Sequence, residues 1–147
     1  MKFTCSVEIN DSRDKVVKLF KDPSNLKEWQ EGFVSMDSIR GAVGEVGAKT
    51  KFVYDTSGGR IELIETIQKN DLPEEFVALY EAKQMTNTMA NKFSIVNSDK
   101  TRWEAQIDYL SFNGFVPKLM AKFMPGMFKK QTQKWLDNFK EFAENQN

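Results

Sequence analysis

Residues 101–112 read Thr101-Arg102-Trp103-Glu104-Ala105-Gln106-Ile107-Asp108-Tyr109-Leu110-Ser111-Phe112, setting Trp103, Ala105, Ile107 and Tyr109 against Arg102, Glu104, Gln106 and Asp108. A period of two is the mark of a strand with one wet face and one dry face. After Asn113-Gly114 the period changes. Leu119, Met120, Phe123, Met124, Met127, Phe128, Trp135, Phe139 and Phe142 recur at three- and four-residue steps with lysines between them, as in an amphipathic helix. Pro117 sits near the first turn, where helices tolerate it. Pro125-Gly126 predicts a kink or break, because Pro125 removes a backbone donor and crowds the preceding turn. A sheet with a dry face needs a cover, and the tail carries the long apolar stripe to provide it.

Outward from this stretch, the rest of the chain supplies the remaining strands. Phe3, Cys5, Val7 and Ile9 alternate with Lys2, Thr4, Ser6 and Glu8, a first strand with one buried face. Asn10-Asp11-Ser12 stops it and offers N-cap oxygens to a short helix built on Val16, Val17, Leu19 and Phe20. Asp22-Pro23-Ser24 ends that helix, and a second short one, Asn25 to Gln30, is closed by Gly32. Strands follow at Phe33–Arg40, Lys49–Tyr54, Arg60–Lys69, Glu75–Lys83 and Thr86–Val96. Asp55-Thr56-Ser57-Gly58-Gly59 and Asn97-Ser98-Asp99-Lys100 have the composition of hairpin turns.

Composition bounds the function. The chain has 147 residues, 21 basic and 21 acidic side chains and no histidine. A length of this order suits one domain, which buries roughly 70% of the surface of its unfolded form. Zero formal charge argues against a general nucleic-acid or anionic-membrane binder, whose affinity rests on clustered Lys and Arg. Without histidine there is no Ser-His-Asp or Cys-His couple and no imidazole metal ligand. The single Cys5 forms no internal disulfide or zinc site and is expected to be a small buried side chain. No run approaches the roughly 20 apolar residues of a membrane span. Met1 to Thr4, ahead of Cys5, are too few for a secretory or lipoprotein signal, so a cytoplasmic setting is expected.

The order strand, two short helices, six-stranded meander and long terminal helix resembles the helix-grip fold of the START-like superfamily (SRPBCC, Bet v 1-like). Asp22-Pro23 followed by Leu26-Lys27-Glu28-Trp29 is similar to that family's motif in the helical linker. Gly44-Glu45-Val46-Gly47-Ala48 resembles its turn before the third strand, and Leu72-Pro73-Glu74 its loop before the fifth. The ending Phe139-Lys140-Glu141-Phe142-Ala143-Glu144 resembles its terminal helix. The likeness covers nearly the whole chain and is closest to the polyketide cyclase/dehydrase-like branch of small bacterial proteins. It implies an α+β fold: a seven-stranded twisted antiparallel sheet wrapped around a long C-terminal helix, with two short helices after the first strand. Residues 1–147 are then one START-like ligand-binding domain.

The resemblance also implies an apolar chamber between sheet and terminal helix. Phe52, Tyr54, Leu63, Phe76, Tyr80, Trp103, Ile107 and Tyr109 are the candidate lining on the sheet side, and Met120, Phe123, Met124, Met127 and Trp135 on the helix side. The alternative is that they pack on one another as core, and a register slip of one residue would exchange the two sheet faces. Gln131 lies between Met127 and Trp135 at four-residue steps, a polar amide suited to a ligand oxygen. The expected function is binding or transport of a small hydrophobic molecule (a lipid, fatty acyl chain or aromatic polyketide) without catalysis. No cofactor, metal or catalytic residue is assigned.

Two alternatives stay open. One is a cyclase, aromatase or dehydratase using Tyr54, Tyr80, Tyr109 or Glu65 as acid or base. Glu65 shares parity with Ile61, Leu63 and Ile67, so it either faces inward or belongs to a solvated strand end, with Arg60 as its partner or as a turn charge. The other is a co-chaperone-like interaction module. Residues 115–130 hold four lysines and no acid among Phe, Leu and Met, which is either the wet side of the packing helix or a transient membrane contact.

Overall fold

A computed structural model of the chain describes residues 1–146. β1 (Lys2–Ile9) leads into α1 (Arg13–Lys21), a single 3-10 turn (Pro23–Asn25) and α2 (Leu26–Trp29). The meander follows: β2 (Phe33–Arg40), β3 (Lys49–Thr56), β4 (Gly59–Asp71), β5 (Glu75–Ala82), β6 (Met85–Asn97) and β7 (Lys100–Phe112). α3 (Phe115–Phe123) and α4 (Pro125–Glu144) complete the order. The sheet runs β1-β7-β6-β5-β4-β3-β2 in space, and every neighbouring pair is antiparallel. This is the START-like helix-grip arrangement.

Two local details differ from the sequence expectation, and a third, the break near Pro125, follows it. Ser12 occupies the N-cap of α1 without a side-chain cap bond; its own N–H donates instead to Asp11 Oδ1 at 2.9 Å. β4 runs on through Asn70 and Asp71, which pair with Phe76 and Glu75, so the ladder reaches the Leu72–Pro73 bend before turning. The break in the tail falls at Met124 (φ −134°, ψ 49°). Pro125 then stands in the first turn of α4, where its missing N–H costs no helical bond.

The core is concentrated at one end of the sheet's inner face, the face that meets the helices. The Phe20 ring lies 4.9 Å from Phe93 and 5.4 Å from Trp103, and the Phe139 ring 5.2 Å from Trp103 and 5.3 Å from Trp29. Most of these pairs meet edge to face, the arrangement the ring quadrupole favours. Trp103 is fully buried and its Nε1–H donates to Asn91 Oδ1 at 3.0 Å, which satisfies both polar groups inside the aromatic cluster. Cys5 is buried there as expected.

α4 is tied to one side of this face. Its closest backbone neighbours are β1 and α2. Gln133 Nε2 donates to Ser6 O at 3.0 Å, Lys140 Nζ to Glu8 O at 2.7 Å and Asn138 Nδ2 to Trp29 O at 3.3 Å. The other side is held by a backbone clasp. Asp55 N–H donates to Gly32 O at 2.8 Å, and a Cβ on Gly32 (φ +86°) would stand 2.3 Å from Asp55 O. Only glycine fits that approach.

Candidate functional site

The pairing register picks out one row of side chains across the inner face. Thr50 stands opposite Glu65, Glu65 opposite Tyr80, Tyr80 opposite Asn87, and Asn87 opposite Tyr109. Tyr109 shares parity with the core residues Trp103 and Ile107, and Asn87 with Asn91, so this polar rung points toward the helices. The rungs on either side are apolar: Phe52, Leu63 and Ala82 on one, Ile67, Ala78, Met89 and Ile107 on the other. In these rungs Glu65, Tyr80, Asn87, Tyr109, Leu63, Ala82 and Met89 are half-buried and Thr50, Phe52, Ile67, Ala78 and Ile107 are buried, and beyond them Trp103, Phe93 and Phe139 are sealed. Because α4 is fastened toward β1 and α2, it leaves this part of the inner face less tightly covered.

The rung has its own electrostatics. The Tyr80 hydroxyl donates to Glu65 Oε2 at 2.8 Å. Burial pushes the Glu65 carboxyl above the ordinary glutamate range, with the Tyr80 bond pulling the other way. Burial also raises Tyr80, reinforced by the charge of Glu65 and by that same bond. Tyr54 is raised by burial and then by Glu65, and Tyr109 is pushed up to about 12 by burial. All three phenols therefore stay protonated near neutrality and act as hydrogen-bond donors. The Tyr54 hydroxyl is already engaged, donating to Gln30 Oε1 at 2.8 Å.

The structure sorts the candidate residues by position. All eight sheet candidates lie on the inner face. Trp103 and Ile107 are closed within packed core, and Phe76 meets Phe20 edge to face at 6.2 Å. Phe52, Tyr54, Leu63, Tyr80 and Tyr109 surround the polar rung or belong to it. Of the helix candidates, Trp135 is half-buried with its ring 5.5 Å from that of Tyr54, and its Nε1–H is buried with no protein acceptor. Met120 is half-buried, while Phe123, Met124, Met127 and Gln131 are exposed.

The reason lies at Met124: the break expected at Pro125-Gly126 separates α3 from α4, so the apolar stripe does not form one continuous face. Substituting Trp at Met124 or Met127 would therefore add bulk at the surface. Phe128 instead carries α4 onto the sheet, its ring 5.1 Å from Tyr109. Arg60 pairs with Asp55 at 2.8 Å in the β3–β4 turn, so Tyr80 and not Arg60 is the partner of Glu65. Thr50, Asn87 and Gln30 belong to the site and were not singled out from the sequence. Thr50 stands two residues before Phe52 and Asn87 two before Met89, so the parity that named the apolar residues also reaches them.

A depression of about 560 Å³ is bounded mainly by Lys51, Arg60, Glu62, Ile64, Glu81 and Lys83. Lys51, Ile64 and Glu81 are cross-strand partners of the opposite parity, so this hollow lies over the outer face among solvated charges such as the Lys51–Glu62 pair. Leu63 and Ala82, from the apolar rung beside Glu65, also border it. Among the described residues no group of three or more Cys, Asp or Glu side chains is arranged to hold a metal.

Comparison with known proteins agrees with this geometry. The family model described as polyketide cyclase / dehydrase and lipid transport matches residues 1–144. No curated protein matches the chain in sequence. The fold is similar to the ZhuI aromatase/cyclase of a Streptomyces species, with a TM-score of 0.82 at 9% identity over 98% of this chain and 93% of that one. It is similar to a conserved protein of Geobacillus kaustophilus, with a TM-score of 0.80 at 16% identity over 97% and 95%. A START superfamily protein of Mycobacterium smegmatis is also similar, with a TM-score of 0.76 at 12% identity over 96% and 97%. At these identities the structures speak for the fold, and the family model for membership: the chain belongs to the polyketide cyclase / dehydrase and lipid transport family.

Proposed function

We propose that this protein takes up a small, mainly apolar molecule bearing at least one oxygen function, and holds it over the Thr50–Glu65–Tyr80–Asn87–Tyr109 rung without transforming it. The observation that carries this reading is the rung itself, a polar line between two apolar ones on a half-open inner face. A carboxyl placed this deep lowers stability relative to an apolar residue, so its presence is explained by what it binds. Apolar burial on the flanking rungs contributes about 25 cal/mol per Å² before ordering costs. The protonated phenols and the Asn87 amide then orient the ligand oxygen. The family's description as lipid transport supports this reading. A cytoplasmic setting belongs to it, with the thiol of Cys5 reduced.

The test is native mass spectrometry of protein purified from its own cells, followed by denaturing extraction. A stoichiometric apolar, oxygen-bearing adduct is expected, and Leu63→Trp, which puts bulk beside Glu65, should abolish it. An adduct that persists unchanged in Leu63→Trp places the ligand elsewhere and overturns the reading.

A second reading, acid–base catalysis, is favoured by one specific observation: Glu65, held toward its neutral form by burial, is in hydrogen-bond contact with Tyr80. A neutral carboxyl is a proton donor, as a dehydrating or cyclising enzyme requires. The resemblance of the fold to an aromatase/cyclase adds support. If the extracted molecule changes mass on incubation with protein, and Glu65→Gln stops the change while retaining the molecule, catalysis replaces simple binding.

A further inference from the structure

α3 is mounted with its apolar side outward. At roughly 100° per residue, Phe115, Leu119, Phe123 and Val116 fall within an arc of about 100°, with Pro117 and Ala121 on the opposite side. Pro117, Met120 and Ala121 are the half-buried residues, whereas Phe115 is 79% and Phe123 67% exposed. In a helix that exists to close a core, the large side chains face in and the small or charged ones face out. Here Met120 alone of the large apolar side chains of α3 faces in, and Phe115, Val116, Leu119 and Phe123 face out. Met124 and Met127, both exposed, extend the apolar surface across the break into α4.

Charge selects the occupant. Lys118 and Lys122 border the apolar arc on one side, Lys129 and Lys130 follow in α4, and no acid occurs between residues 115 and 130. This local excess stands in a chain whose overall formal charge is zero. A second copy docked on the same patch by a two-fold axis would bring these lysines face to face. A surface that accepts Phe and Leu while presenting negative charge at the rim is an anionic lipid bilayer. Among the described residues no helix is long and apolar enough to cross a membrane, so the contact is one of lying on the interface.

We propose that α3 and the first turn of α4 form a docking surface for anionic membranes, with Phe115, Leu119 and Phe123 inserted among the acyl chains and Lys118 and Lys122 on the headgroups. The patch leads directly to Phe128, whose ring packs on Tyr109 at the end of the polar rung. Docking would bring the bilayer to the Tyr109 side of the inner face. The proposal stands on α3 alone and does not require the ligand reading.

The experiment is co-sedimentation with vesicles of phosphatidylcholine alone and of phosphatidylcholine mixed with phosphatidylglycerol, at low and high salt. The wild type is expected on the mixed vesicles, with partition reduced on the order of tenfold by Lys118→Glu/Lys122→Glu and by high salt. Phe115→Ser/Phe123→Ser should abolish it, while circular dichroism and urea unfolding stay unchanged because those rings are exposed. Failure to bind mixed vesicles, equal binding to both kinds, or variants that bind like wild type each overturn the proposal. Sedimentation velocity supplies the rival outcome: a dimer lost in Phe115→Ser/Phe123→Ser, without vesicle binding, assigns the patch to a second copy.

Discussion

The Tyr80 hydroxyl and Glu65 Oε2 lie 2.8 Å apart across the β4–β5 ladder, a hydrogen-bonded acid and phenol between one apolar rung of Phe52, Leu63 and Ala82 and another of Ile67, Ala78, Met89 and Ile107. The pair is the most consequential polar contact on the inner face, because burial acts on both partners and ties stability to pH.

The sign follows from the raised carboxyl. Below the unfolded-state value of about 4.3, Glu65 is neutral in both states and burial is least costly. As pH rises toward the higher folded value, the folded state must lose a proton it holds more tightly than the unfolded chain, and stability falls. Glu65→Gln keeps an acceptor for Tyr80 and removes the titration. Urea unfolding at pH 4, 6 and 8 should show the variant gaining on wild type with rising pH. A constant difference across the series would mean that Glu65 titrates normally.

Removing both partners separates stability from binding. Glu65→Leu/Tyr80→Phe replaces the polar pair with apolar groups of similar shape, a change expected to be neutral or stabilising. Tyr80→Phe alone leaves the carboxyl without its donor and should cost about 1–3 kcal/mol. The double variant should nonetheless bind the extracted ligand about 3- to 10-fold more weakly, the worth of a lost hydrogen bond or two. Calorimetric unfolding and ligand titration on the same samples decide it.

The aromatic end should respond in the opposite way. Asn91→Leu strands the Trp103 indole N–H, now 3.0 Å from Asn91 Oδ1, and should cost about 1–3 kcal/mol. Phe139→Ala opens a cavity among Phe20, Trp29 and Trp103 and should cost about 3–5 kcal/mol. Neither should alter the ligand's dissociation constant in protein that remains folded. A binding loss as large as that of the Glu65 and Tyr80 variants would extend the site into the core.

Gly32→Ala tests the clasp between α2 and β3. The added Cβ meets Asp55 O at 2.3 Å, and the positive φ strains any L side chain. A loss of at least about 1–3 kcal/mol is expected, read as a lower urea midpoint. Hydrogen exchange should localise the loosening to the Asp55 amide, whose bond is to Gly32 O.

The architecture was legible along the chain because each strand declares its faces by alternation and each turn by its Gly, Asn, Asp or Pro. Trp103 and Ile107 against Arg102 and Gln106 are enough to orient β7, and the same local rule placed Phe52, Leu63 and Tyr80 on one face. Parity, however, names a face without saying how tightly that face is covered. That depends on where α4 is fastened, and Ser6, Glu8 and Trp29 fasten it beside β1 and α2 through bonds more than a hundred residues apart in sequence. The polar rung needs the registers of four strand pairs at once, so Glu65 met Tyr80 instead of Arg60 only when the sheet was assembled. The tail shows the same division. Its apolar period belongs to the sequence, but the backbone turn at Met124 sends α3 off the axis of α4 and leaves Phe115 and Phe123 facing water. Alternation and periodicity are properties of neighbouring residues and can be read from them; cover, register and helix direction arise from contacts between distant segments, and only the tertiary structure decides those.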